Sequence, residues 1–193
     1  MSPTYIAYNR RSMNPINNKN RRGLLKTVLS GVFTTLMLPV RRAVAVDERQ
    51  LAFHHTHTGK RLDVVYKRNG KYVPEALSDI NAFLFDFRTG DVAEMDPNLI
   101  DLIYDLREAL GSKGTYEIIS AYRSPKTNEM LRSRSSGIAK NSQHLLGKAV
   151  DVRLTDIELT KFRDTAISMQ RGGVGYYASS NFVHIDTGRV RRW

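Results

Sequence analysis

The chain of 193 residues carries 30 lysines and arginines against 19 acids, a net charge of +11, and no cysteine. That length admits one domain and an extension, and the domain must bury its core without disulfide staples. The charge does not argue for a nucleic-acid partner: residues 1–45 hold eight basic residues and no acid, which leaves 22 against 19, a balance of only +3, for the rest.

The leader has a charged head, Asn20-Arg21-Arg22-Gly23-Leu24-Leu25-Lys26, an apolar run over residues 27–40 and a small-x-small end at Ala43-Val44-Ala45. These are the parts of an export signal, and the paired arginines followed by Leu-Leu-Lys resemble a twin-arginine signal with its cut after Ala45. As a helix the apolar run reaches roughly 21 Å, short of the roughly 30 Å hydrocarbon core, so no stable membrane span is expected. Arg41 and Arg42 beside the cut leave an uncleaved leader as the alternative. The expected division is a signal over 1–45 and one catalytic domain over 46–193. Absence of cysteine fits a domain that folds in the cytoplasm and is exported whole by the twin-arginine machinery to the periplasm.

Within the domain, residues 51–57 hold three of the five histidines, with Phe53, His55 and His57 on one strand face. No carboxylate accompanies them, and the expectation is an edge strand with solvated imidazoles. Segments 61–67 and 71–73 flank Asn69-Gly70, a turn pair that favours a tight hairpin. Residues 78–87 carry Ile80, Phe83, Leu84 and Phe87 at helical spacing, a core stripe. The clearest helix starts at Asp96-Pro97 and stops at Gly111, with Leu99, Leu102, Ile103, Leu106 and Leu110 as its buried face. A strand over 115–121 then delivers Arg123 just before Pro125 opens a short helix, and residues 128–142, rich in serine, arginine and glycine, read as a helical turn or two and a loop. Thr155-Asp156-Ile157-Glu158 has capping-box spacing before the stripe Leu159, Phe162, Ala166 and Met169, and Gly172-Gly173 ends that helix.

The chemistry lies in two segments. Ser142-Gln143-His144-Leu145-Leu146-Gly147-Lys148-Ala149-Val150-Asp151 reads as a turn feeding a strand, in which Ala149, Asp151 and Arg153 oppose Val150, Val152 and Leu154. In Asn181-Phe182-Val183-His184-Ile185-Asp186-Thr187-Gly188 the residues Phe182, His184 and Asp186 oppose Val183 and Ile185. If both strands turn their valines and isoleucines to one core, Asp151 and His184 share the opposite face and His144 can join them. Two imidazoles and a carboxylate form a three-donor set for one zinc ion per chain, with the fourth position open.

In their order along the chain, His144-x-x-Gly147-x-Ala149-x-Asp151, the upstream Ser120-Ala121-Tyr122-Arg123-Ser124 and the downstream Phe182-Val183-His184-Ile185-Asp186 resemble the zinc peptidases of bacterial cell walls. That superfamily holds D-Ala-D-Ala carboxypeptidases, dipeptidases and murein endopeptidases, and the chain is most similar to its murein endopeptidase K branch from about residue 62 onward. The resemblance implies an α+β, hedgehog/DD-peptidase-like fold, a small antiparallel sheet carrying the zinc site with helices packed on it. It implies hydrolysis of peptide cross-links in peptidoglycan. The alternatives are a D,D- or L,D-carboxypeptidase on stem peptides and a non-catalytic zinc-containing wall-binding domain.

Arg123 is expected to steady the tetrahedral intermediate or to grip a substrate carboxylate. Several relatives place a glutamate or aspartate three residues before the last histidine, where this chain has Asn181, which cannot accept a proton at neutral pH. Asp186 is the nearest substitute base, with orientation of His184 as its alternative role. Tyr122, Ser142 and Tyr176 are the expected substrate contacts, beside the 133–142 loop and the arginines near residue 190.

Overall fold

The structure is a computed structural model, which describes residues 47–135 and 137–193. The leader reading over 1–45 lies outside the described residues. Among the described residues eight strands form a single sheet: β1 (Glu48–His55), β2 (Arg61–Arg68), β3 (Lys71–Tyr72), β4 (Tyr116–Ser120), β5 (Ala149–Leu154), β6 (Gly173–Tyr177), β7 (Phe182–Asp186) and β8 (Arg191–Arg192). Their order across the sheet is β3-β2-β1-β4-β5-β7-β6-β8. The α+β class holds. The sheet is larger than expected and not wholly antiparallel, because β1 runs parallel to β4 and β6 parallel to β8. A parallel pair needs a long crossover, and the helices between β1 and β4 supply it.

Among the described residues there are four α-helices: α1 (Pro74–Phe83), α2 (Pro97–Ala109), α3 (Pro125–Arg134) and α4 (Leu159–Met169). None of them is long and apolar enough to cross a membrane. Helix α1 packs on β2, α4 on β5 to β7, and α2 on α4 and β1. The core is the layer between them, where Leu51, Phe53, Ile118, Val150, Val152, Val183 and Ile185 meet Ile80, Leu99, Ile103, Leu106 and Phe162. Burying each such side chain is worth about 1.5–3 kcal/mol, and this holds the sheet face that turns away from the site.

Local chemistry explains where the helices start and stop. Asp96 caps α2 by accepting the Asn98 N–H, and Pro97 takes the first position, as its missing N–H allows. Helix α1 begins four residues earlier than the apolar stripe suggests, at Pro74, and ends at Phe83, so residues 84–91 form a loop instead of a last helical turn. The expected capping box before α4 does not form. Thr155 Oγ1 accepts from the Thr115 N–H and the Asp156 carboxylate from Ser112 Oγ and the Lys113 N–H, so this turn clamps the loop that enters β4. The histidine-bearing strand is not an edge either. β1 lies between β2 and β4, and His55 is 1% exposed against Phe83, Phe85 and Phe87.

Candidate active site

The antiparallel pairing of β5 with β7 sets Asp151 directly opposite His184, while Val150 and Val152 face Ile185 and Val183 toward the core. β4 adds Ser120 opposite Asp151, and β6 adds Gly175 opposite His184. His144 comes from a 3-10 turn, Gln143–Leu146, capped by Ser142, whose hydroxyl accepts the His144 N–H. The turn ends at Gly147, with φ 64°, where a side chain would also collide with the Glu94 carbonyl. Only glycine meets both conditions, and it thereby aims His144 into the sheet.

The partners of each ring assign its tautomer. His144 Nδ1 lies 2.6 Å from the Ala121 carbonyl, which can only accept, so Nδ1 carries the proton and Nε2 a lone pair. His184 Nε2 lies 2.8 Å from Asp186 Oδ2, which likewise places its proton there and leaves Nδ1 a lone pair. His144 Nε2, His184 Nδ1 and Asp151 Oδ1 then face one another at 2.9, 3.1 and 3.3 Å, all from buried residues. Three lone pairs at that range repel unless a cation lies among them. A proton on His184 Nδ1 satisfies one pair, whereas a metal ion satisfies all three. Tetrahedral zinc bonds of about 2.0–2.1 Å subtend edges of about 3.3 Å, so the triangle fits that ion with slight opening.

Asp186 stands behind His184 and is fully buried. Its Oδ2 accepts from His184 and from Arg191 at 2.7 Å, and its Oδ1 from the Gly173 and Gly188 N–H groups and again from Arg191. Burial alone would raise its pKa, but the hydrogen bonds from His184, Arg191 and Gly188 outweigh this and hold it below the usual carboxylate range. With its lone pairs engaged and an imidazole between it and the donor triangle, its geometry suits orienting His184 better than collecting a proton. Asn181 does not reach the cleft either. It sits at φ 54° in the β6–β7 connection, with its carbonyl held by Arg153.

Arg123 lines the cleft with its guanidinium 3.7 Å from Asp151 Oδ2 and its backbone N–H on the His144 carbonyl. Burial pulls its pKa down and Asp151 opposes this. Its Nε is buried and has no hydrogen-bond partner among the described residues. Of the three expected substrate contacts, only Ser142 lines the cleft. Tyr122 packs against the core, and Tyr176 pairs with Val183 on the core-facing register under Arg163. Its neighbour Tyr177 takes the place expected of it: Tyr177 and Phe182 stack at 4.6 Å on the cleft side, and Trp193 joins them. Phe182 is on the His184 face, as its alternation predicts, whereas Tyr177 is not predicted, because the alternation in Gly175-Tyr176-Tyr177 is readable only once its pairing with β7 is known. Asp151 is the only carboxylate among the described residues lining the cleft.

Comparison with known proteins gives the same picture of relatedness. A family model, M15_2 peptidases, described as peptidoglycan L,D-endopeptidase MepK, matches residues 43–193. The chain is 40% identical over 178 residues to the peptidoglycan L,D-endopeptidase MepK of Escherichia coli K12, covering 90% of this chain and 97% of that protein. The Shigella flexneri protein of the same name matches equally. A probable peptidoglycan L,D-endopeptidase MepK of Haemophilus influenzae is 42% identical over 146 residues, covering 75% of this chain and 78% of the relative.

Proposed function

The chain belongs to the M15_2 peptidase family, that of the MepK peptidoglycan L,D-endopeptidases, and from this premise we propose that it is a zinc-dependent murein endopeptidase that hydrolyses peptide cross-links of peptidoglycan. The observation that carries the reading is the buried triangle of His144 Nε2, His184 Nδ1 and Asp151 Oδ1, three lone pairs that need a cation. Zinc held there would polarise the scissile carbonyl and bring the pKa of its water to about 7.

The rest is the work of side chains. Asp186 locks His184 in the tautomer that presents Nδ1, and the Ala121 carbonyl locks His144 in the one that presents Nε2. Arg123 offers a desolvated cation beside the triangle for the developing oxyanion or a substrate carboxylate. The relatives' names point to an L,D bond of peptidoglycan, and the bond cut is taken to be a cross-link between stem peptides, including those joining two diaminopimelate residues. The substrate sets the compartment: the protein works in the periplasm, and residues 1–45 are read as its twin-arginine signal.

Incubation of the mature protein with purified cross-linked muropeptides, with and without a chelator, tests the reading by mass spectrometry. Dimers should become monomers only while metal is present. Release of free D-alanine without loss of dimers would instead indicate a carboxypeptidase, and no product a wall-binding domain.

A further inference from the structure

Trp193 is the sole tryptophan of the chain and is 51% exposed, yet it is held from every side the fold can offer. Its backbone extends the β8 pairing: its N–H donates to the Val174 carbonyl and its carbonyl accepts the Tyr176 N–H. The indole lies over Gly175, where a built Cβ would come within 2.6 Å of it. Its Nε1–H donates to Tyr177 Oη at 2.9 Å, and the Arg191 guanidinium, itself fixed by Asp186, sits 4.9 Å from the ring. The other edge faces His184, with ring centroids 5.2 Å apart.

Leaving half an indole in water sacrifices the burial a core position would give, and a surface tryptophan that only filled space would not need a glycine seat and a hydrogen-bonded strand. Rigid, half-exposed aromatics in a cleft are the side chains that most often anchor a ligand. Position narrows the ligand. Along the row Ser120, Asp151, His184, Gly175, the donor triangle lies in the middle, Arg123 at the β4 end and Trp193 at the β6 end. One flank of the scissile bond therefore meets the Arg123 cation and the other the indole wall, whose neighbouring Arg191 is already paired with Asp186.

We propose that Trp193 is the apolar subsite of the cleft, packing against the aliphatic side chain of the substrate residue on the side of the scissile bond away from Arg123. In a murein cross-link that group is the methylene chain of the diamino acid, so the identity of the substrate rests on the endopeptidase reading above, while the subsite itself rests on the geometry of the indole. Arg123 screens for charge on one side and Trp193 for an unbranched apolar chain on the other. Together they would select among peptide bonds that the metal donors alone cannot tell apart.

A lone tryptophan makes the test direct. Titrating the zinc-loaded protein with purified cross-linked muropeptide dimer should shift its intrinsic fluorescence saturably, whether or not the dimer is cut. Trp193→Ala should lower kcat/KM about tenfold or more, chiefly through KM, with zinc content unchanged, and Trp193→Phe should recover much of the loss. Gly175→Ala, whose new methyl must displace the indole, should reproduce the Trp193→Ala defect. A fluorescence shift without cleavage would sink the endopeptidase reading and leave the subsite standing. No shift at saturating dimer would overturn the subsite, as would a Trp193→Ala protein within about twofold of wild-type kcat/KM, or one whose loss merely tracks lost zinc.

Discussion

Asp186 shows how one carboxylate can be read two ways until its neighbours are known. On the strand it shares a face with His184, which suits a proton acceptor as well as an orienting group. Its five hydrogen bonds favour orientation. Asp186→Asn keeps the shape but weakens the hold on the His184 Nε2–H, so zinc affinity should fall about 10–100-fold while activity returns when zinc is added to saturation. A variant that stays inactive at full zinc occupancy, measured by elemental analysis, would restore the base assignment. The donors His144, Asp151 and His184 were legible because apolar alternation on two short strands fixes which side chains share a face. The role of Asp186 was not, since it depends on how the chain turns after β7 to bring Gly188 and Arg191 back onto the carboxylate and on the approach of Gly173 from β6.

At the scale of elements, the corner between β4 and α3 presents Arg123, and it is built from a loop that the sequence hides. Ile80, Phe83, Leu84 and Phe87 fit one helical stripe, yet Phe83 ends α1 and the next residues turn back so that Asp86, 1% exposed, reaches the corner. Its Oδ2 accepts the Ser124 N–H at 2.9 Å and the Ser124 hydroxyl at 2.8 Å, and Ser124 Oγ in turn caps α3 by accepting the Thr127 N–H. The Tyr122 N–H on the Leu84 carbonyl and the Arg123 N–H on the His144 carbonyl complete the clamp. Burial opposes ionisation of Asp86, but the nearby Thr127 hydroxyl and the hydrogen bonds from Ser124 and the Arg88 N–H bring its pKa down to about 2. A folded-state pKa below the unfolded one means that the unfolded chain binds the extra proton. The stabilisation is therefore present above about pH 4 and lost as pH falls toward 2, about 2 kcal/mol in all. Melting temperatures across that window should show the loss in the wild type and a flatter acid limb in Asp86→Asn, which should also lower kcat with zinc retained. An unchanged acid limb in the variant would remove Asp86 from the account. Helix α2 needed no such correction, because cap, proline and stripe all agree in residues 96–111. The strand parity that separates Tyr177 from Tyr176 depends on pairing with a strand several residues away, which local pattern does not encode.

For the molecule as a whole, the class and the single site were readable, while the sheet order was not. A parallel pairing such as Phe53 with Tyr116 joins segments far apart in the chain and leaves no mark in local alternation. That topology bears on export. The three donor side chains meet only after β5 and β7 pair and the 3-10 turn closes, and β4 enters the sheet by pairing with β1 and β5, both distant from it in the chain. Sheets dominated by such distant pairings fold slowly. A chain with no cysteine gains nothing from waiting for an oxidising compartment, so folding and metal loading before export suit it better than threading unfolded. We read the paired Arg21-Arg22 ahead of Leu24-Leu25-Lys26 as the matching address on the leader. Changing both arginines to lysine should strand a precursor in the cytoplasm that is already folded, resistant to added protease and loaded with zinc. A variant that still reaches the periplasm in full, or a stranded precursor that is unfolded and metal-free, would show that the domain travels unfolded by the general secretory route and acquires its metal outside.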